Sequence, residues 1–213
     1  MFNKNDVILF QGDSITDCGR SKDEAVGFNN ALGNGYVDVL AGELLATEPE
    51  KQYQIYNRGI SGHRIVDLYA RWKKDGVNLK PNVLSMLIGI NDIWHEFGSQ
   101  NGVEADRFDQ FYRMILDWTL KENPEIKLIL CEPFGLPCGA ITDEWWPIID
   151  ERRAIVKKIA EDYKAVFVPF QTVYNEALNK APAEYWAPDG VHPSIAGHKI
   201  MAEAWLKAVK ASL

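Results

Sequence analysis

Cysteine is scarce, and positive charge is outweighed by negative. The three cysteines, Cys18, Cys131 and Cys138, are an odd count with no metal-ligand spacing, which fits a reducing cytoplasm better than a disulfide framework. A formal net charge of −7 argues against a nucleic-acid partner, which requires a positive footprint, and disfavours an anionic membrane as a docking surface. No apolar run approaches the length of a membrane span. The opening "MFNKNDVILFQGD" has too short an apolar stretch for a signal peptide and no small-residue cleavage site. Phosphate-loop glycines are missing as well: there is no G-x-x-x-x-G-K-[S/T], and "GNGY" from residue 33 is not a dinucleotide fingerprint.

What remains is a chain of 213 residues, 46% apolar, undivided by repeats or linkers. That is enough for one α/β domain over residues 1–213. Short apolar or β-branched runs predict strands at 7–11, 52–57, 83–88, 127–131 and 165–168. Helical periods fall between them, at 35–46, 65–74, 105–122 and 144–163, with a last helix at 194–211. Phe108, Phe111, Tyr112, Ile115 and Thr119 form the stripe of a helix laid on a sheet, and Ile148, Arg152, Ile155, Ile159 and Tyr163 repeat it with one polar interruption. Strands alternating with helices imply a parallel sheet in a three-layer α/β/α sandwich. Ligands bind such sheets beyond the carboxyl ends of the strands, where strand order reverses. In a 2-1-3-4-5 order, the segments after the first and third strands become neighbours.

Ser14, in "ILFQGDSITDCGR", follows the first of those strands. It is either a helix cap or a nucleophile, and a nucleophile needs a base. His192 stands three residues after Asp189 in "APDGVHPSIAGH", so one rigid loop presents a carboxylate and an imidazole together. A turn in which both merely cap the final helix fits the same spacing. Acyl transfer also needs oxyanion donors. "NRGISGHR" places Gly62 in a turn after the second strand, and "LIGINDIW" places Asn91 after the third. Gly and Asn are also ordinary loop residues.

Taken in order, "GDSITD", the glycine of "NRGISG", "GIND" and "DGVHP" resemble the four sequence blocks of the SGNH (GDSL-type) hydrolases, over residues 12 to 193. The resemblance implies a flavodoxin-like sheet, Ser14 as nucleophile, His192 as base and Asp189 as its partner. It implies oxyanion donors from the Ser14 N–H, the Gly62 N–H and the Asn91 side chain, and no cofactor. Ile15 stands where many members have Leu. The longer stretches "ISGHRIVDLYARW" and "DGVHPSIAGHKIMA" resemble intracellular carbohydrate acetyl esterases, which implies acetylated sugars, xylo-oligosaccharides above all, as the small-molecule substrate. Two other readings use the same scaffold: a thioesterase or lysophospholipase for longer acyl chains, and a non-catalytic sugar-binding module.

Asp13, Asp17 and Asp92 raise a divalent metal as a reading, but no H-x-x-x-H or similar pair accompanies them; Asp13 and Asp92 read as braces of their loops. Trp94, His95 and Trp186 are candidates to line the pocket. Trp145 and Trp146 are candidates for a lid or a subunit contact, which leaves a homo-oligomer open. Ser61 reads as a turn residue, His198 as structural and Cys18 as a small buried residue.

Overall fold

The computed structural model describes residues 2–212. Five parallel strands, β1 (Val7–Gly12), β2 (Gln54–Asn57), β3 (Val83–Leu87), β4 (Lys127–Cys131) and β5 (Val166–Val168), form one sheet in the order 2-1-3-4-5. The helices among the described residues are α1 (Ser14–Asp17), α2 (Tyr36–Thr47), α3 (Ile65–Asp75), α4 (Ile90–Ser99), α5 (Ala105–Glu122), α6 (Trp146–Asp162), α7 (Phe170–Ala177), α8 (Ala183–Trp186) and α9 (Ile195–Ser212). The expected fold class and strand order are those observed. None of these helices is long and apolar enough to cross a membrane.

Because successive strand residues point to opposite faces, β1 divides its side chains between two cores. Ile8 and Phe10 join Tyr36 and Leu40 of α2 and Met201 and Trp205 of α9, whereas Leu9 joins Leu68 and Trp72 of α3, Phe108 and Tyr112 of α5 and Ile159 of α6. Each core buries a tryptophan whose indole N–H is satisfied by a hydroxyl. Trp205 Nε1 donates to Ser85 Oγ at 2.9 Å, and Trp72 Nε1 donates to Thr119 Oγ1 at 3.0 Å. Losing either ring would cost about 3–5 kcal/mol.

The outer edge of β2 is covered. Asn29 N donates to the Ile55 carbonyl at 2.9 Å, Ile55 N donates to Asn29 Oδ1 at 2.7 Å, and Asn29 Nδ2 donates to the Tyr53 carbonyl at 2.8 Å. One residue thereby satisfies backbone groups that a neighbouring strand would otherwise pair.

Several boundaries differ from the sequence reading. β2 begins at Gln54 because Gln52 sits in the left-handed region, at φ 54°, and closes a short turn. Helix α4 was not expected: Asn91 and Asp92 lie in its first turn, where a helical stripe would show apolar residues. Helix α7, entered directly from Pro169, was not expected either. Helix α6 is rotated from its expected face. Ile149, Arg152, Val156, Ile159 and Ala160 are its buried residues, and Arg152 lies inward because its Nη2 donates to the Val103 carbonyl at 2.7 Å.

Candidate active site

Gly12 ends β1 where space runs out. A Cβ there would lie 2.3 Å from the Leu87 carbonyl oxygen and 2.4 Å from Thr16 Oγ1. The chain then turns at once into α1, capped by Asp13, whose Oδ1 accepts from Ile15 N at 3.0 Å. Ser14 is therefore the first residue of a one-turn helix at the carboxyl end of β1. Its carbonyl accepts from Cys18 N at 2.9 Å.

The Ser14 Oγ lies 2.7 Å from His192 Nε2, across a separation of 178 residues. On the far side of the ring, His192 Nδ1 is 2.6 Å from Asp189 Oδ2. The other carboxylate oxygen of Asp189 accepts from Val191 N at 3.0 Å and His192 N at 2.7 Å, so the carboxylate orients the loop that carries the imidazole. Burial raises the Asp189 carboxyl, but the hydrogen bonds from His192 and Val191 outweigh it and hold the group below the usual carboxylate value. An ionised Asp189 puts the imidazole proton on Nδ1. That leaves the Nε2 lone pair facing the serine hydroxyl. The pair is open to solvent, with side-chain exposures of 46% for His192 and 42% for Asp189.

Gly62 takes φ +81°, a conformation that favours glycine, and the space where its Cβ would stand is empty. The preceding turn is braced from α1: Asp17 Oδ2 accepts from both Ser61 N and Ser61 Oγ at 2.9 Å, and also pairs with Lys22. Ser61 is thus occupied as a turn residue. Asn91 Nδ2 donates to the His63 carbonyl at 3.3 Å. Asp92, next in the chain, accepts from Ile65 N with Oδ1 at 3.1 Å and Oδ2 at 3.3 Å. The segments that carry Gly62 and Asn91 are therefore tied twice to each other.

Residues 10–200 match the GDSL-like lipase/acylhydrolase family. The chain belongs to that family. It is 40% identical over 207 residues to an acetylxylan esterase of Geobacillus stearothermophilus, covering 95% of this chain and 93% of the relative. A crystal structure of an acetylxylan esterase from that organism superimposes with a TM-score of 0.87 at 38% identity, covering 97% of this chain and 95% of the other. A crystal structure from Parabacteroides merdae, assigned as a GDSL-like lipase, reaches a TM-score of 0.95 at 41% identity, covering 99% and 98%.

Of the aromatic candidates in this GDSL-like hydrolase, Trp94 is brought to His192, the ring centroids 6.0 Å apart. His95 follows it on α4 and is half-buried. Trp186 does not line this site. It is 8% exposed, its indole N–H donates to the Ala181 carbonyl at 3.2 Å, and its ring faces the groove between α7 and α9. Its carbonyl accepts from Ser194 N at 2.8 Å, so its place is to support the loop that carries His192. Trp145 is buried at 4% exposure, edge-on to Trp94, and is packing rather than a mobile cover.

Asp13 and Asp92 are both fully buried, and burial pushes each carboxyl up to about 7. Asp13 Oδ2 has no hydrogen-bond partner among the described residues. His198 is structural: its Nδ1 accepts from Tyr36 N at 3.1 Å, its Nε2 lies 3.4 Å from Cys18 Sγ, and burial lowers it to about 4. Sequence reasoning missed Asp17 as the brace of the Ser61–Gly62 turn, and Phe97, three residues beyond Trp94 on α4. The i, i+3 spacing of the two rings was the available signal.

Proposed function

We propose that this chain is a serine esterase that removes acetyl groups from acetylated carbohydrates, xylo-oligosaccharides above all. The observation that carries the reading is the 2.7 Å approach of Ser14 Oγ to His192 Nε2, with Asp189 behind the ring. Membership of an acylhydrolase family and the likeness to an acetylxylan esterase support the substrate class.

Ser14 Oγ attacks the ester carbonyl while His192 Nε2 takes its proton. The Ser14 N–H, the Gly62 N–H and Asn91 Nδ2 receive the developing oxyanion. His192 then gives its proton to the departing sugar oxygen, leaving an acetyl group on Ser14. A water deprotonated by the same imidazole attacks that acyl-enzyme, and acetate leaves as the serine recovers its proton. Every step is supplied by the chain's own residues. The free thiols of Cys18, Cys131 and Cys138 accord with work in a reducing cytoplasm.

Acetate release from acetylated xylo-oligosaccharides by the wild-type chain, and its loss in Ser14→Ala, tests the proposal. The variant should fall by several orders of magnitude in kcat with the fold intact, and retained turnover ends the nucleophile assignment. An enzyme for long acyl chains would favour octanoyl over acetyl esters of one alcohol, whereas this reading requires the reverse. A sugar-binding module would resist covalent labelling by an organophosphorus reagent.

A further inference from the structure

Three aromatic rings lead away from the catalytic imidazole in an unbroken series. Trp94 lies 6.0 Å from His192, Trp145 meets Trp94 edge-on at 5.6 Å and 87°, and Phe97 stacks on Trp145 at 4.9 Å and 14°. The burial of the last two members is unequal. Trp145 is 4% exposed, whereas Phe97, on the same helix as Trp94, is 42% exposed. One face of Phe97 is thus held rigidly against a buried indole while much of the ring remains in water.

An isolated exposed phenylalanine needs no explanation. Phe97 differs because its position follows from the direction of the reaction. With the Gly62 N–H and Asn91 Nδ2 as oxyanion donors, as the esterase reading has them, the ester carbonyl oxygen points toward them. His192 must reach the leaving oxygen to protonate it, which places the alcohol portion of the ester beside the imidazole. Trp94 is the ring next to that imidazole. Trp94 and Phe97 stand one helical turn apart on α4 and both reach the surface, so an alcohol that continues beyond the first sugar meets Phe97 next, with Trp145 as the buried support of both rings. Aromatic faces suit the axial C–H faces of pyranose rings, because the electron-rich face attracts the weakly positive hydrogens while apolar area leaves water.

We propose that Phe97 forms a distal sugar subsite, a platform for a pyranose further along the chain than the one that bears the acetyl group. The inference rests on the esterase reading above and adds to it a preference for oligosaccharides over single sugars.

The test measures kcat/KM for acetate release from a mono-acetylated methyl xyloside and from acetylated xylotetraose, using the wild type, Phe97→Ala and Phe97→Tyr. The ratio of tetraose to monosaccharide should fall about five- to ten-fold in Phe97→Ala, chiefly through KM, and be kept in Phe97→Tyr. An equal loss on both sugars would mean that Phe97 only supports Trp145, and it overturns the subsite. So does turnover of both sugars with an unchanged ratio. Failure of the wild type to release acetate from either sugar sinks the substrate class and the subsite together.

Discussion

Asn91 Nδ2 donates to the carbonyl oxygen of His63 at 3.3 Å, one residue beyond Gly62. A side chain from the first turn of α4 thus fixes the turn after β2, and the two proposed oxyanion donors hold their places by holding each other.

Asn91→Ala should therefore remove one donor's worth of transition-state stabilisation. We expect kcat on an acetyl ester to fall by about 10²–10³, with a smaller effect on KM, because the donor acts on charge that develops in the transition state. Steady-state kinetics on the purified variant checks this, and a near-normal kcat would remove Asn91 from the oxyanion role.

Asp189→Asn separates geometry from charge. The amide oxygen can still accept from the Val191 and His192 backbone N–H groups, so the loop should persist. The carboxylate that holds the imidazole proton on Nδ1 is lost, and kcat should fall by about 10³–10⁴. Unchanged circular dichroism with the rate reduced is the expected pair of results; a rate within a factor of a few of wild type contradicts the assignment.

Buried Asp92 bears on stability. Its carboxyl is raised to about 7 by burial, so the folded chain binds more protons than the unfolded chain between the ordinary carboxylate value and that point. Its favourable contribution is present at low pH and is lost as pH rises through about 7. Asp92→Asn keeps an acceptor for Ile65 N and removes the ionisation. Denaturant melts from pH 4 to 8 should show the variant gaining on the wild type as pH rises, and parallel curves would refute it.

Asp13 obeys the same sign, with a further constraint from its position beside Ser14. Burial raises its carboxyl to about 7, so protonation favours the fold below that pH and the preference is lost above it. Asp13→Asn should reproduce the stability trend, because its amide oxygen can still accept from Ile15 N. Melts of Asp13→Asn and the wild type at pH 5 and pH 8 give the comparison, and a variant that loses ground at the higher pH contradicts it.

The parts legible in the sequence were those with a strong local signal. Leu84, Met86, Leu128 and Leu130 lie in compact apolar runs, and such runs make a buried parallel strand recognisable without knowledge of its neighbours. Ser14, Asp189 and His192 stand in short segments whose residue types and order marked them as candidates, and the structure brings the three together. What escaped notice depended on tertiary partners. Asn91 and Asp92 made α4 look like a loop, since the groups they satisfy, on His63 and Ile65, come from another segment. On α6 the expected stripe includes Arg152 and Ile159, as the observed one does, but Ile149 and Val156 lie inward in place of Ile148 and Ile155; the inward Arg152 is held by Val103 and lies over the Phe108 ring at 5.5 Å. Trp186 was placed at the site by its closeness in sequence to Asp189. The short helix α8 sends its indole the other way, to Ala181.

Asn29 closes the flank of the sheet at β2 by occupying the peptide groups of Tyr53 and Ile55 with its own side chain and backbone. A second molecule approaching that flank at Tyr53 and Ile55 meets peptide groups already engaged, so an outside strand cannot pair with them there. Association at that point is left to side chains, and strand stacking has no foothold on Tyr53 and Ile55 while Asn29 keeps its place.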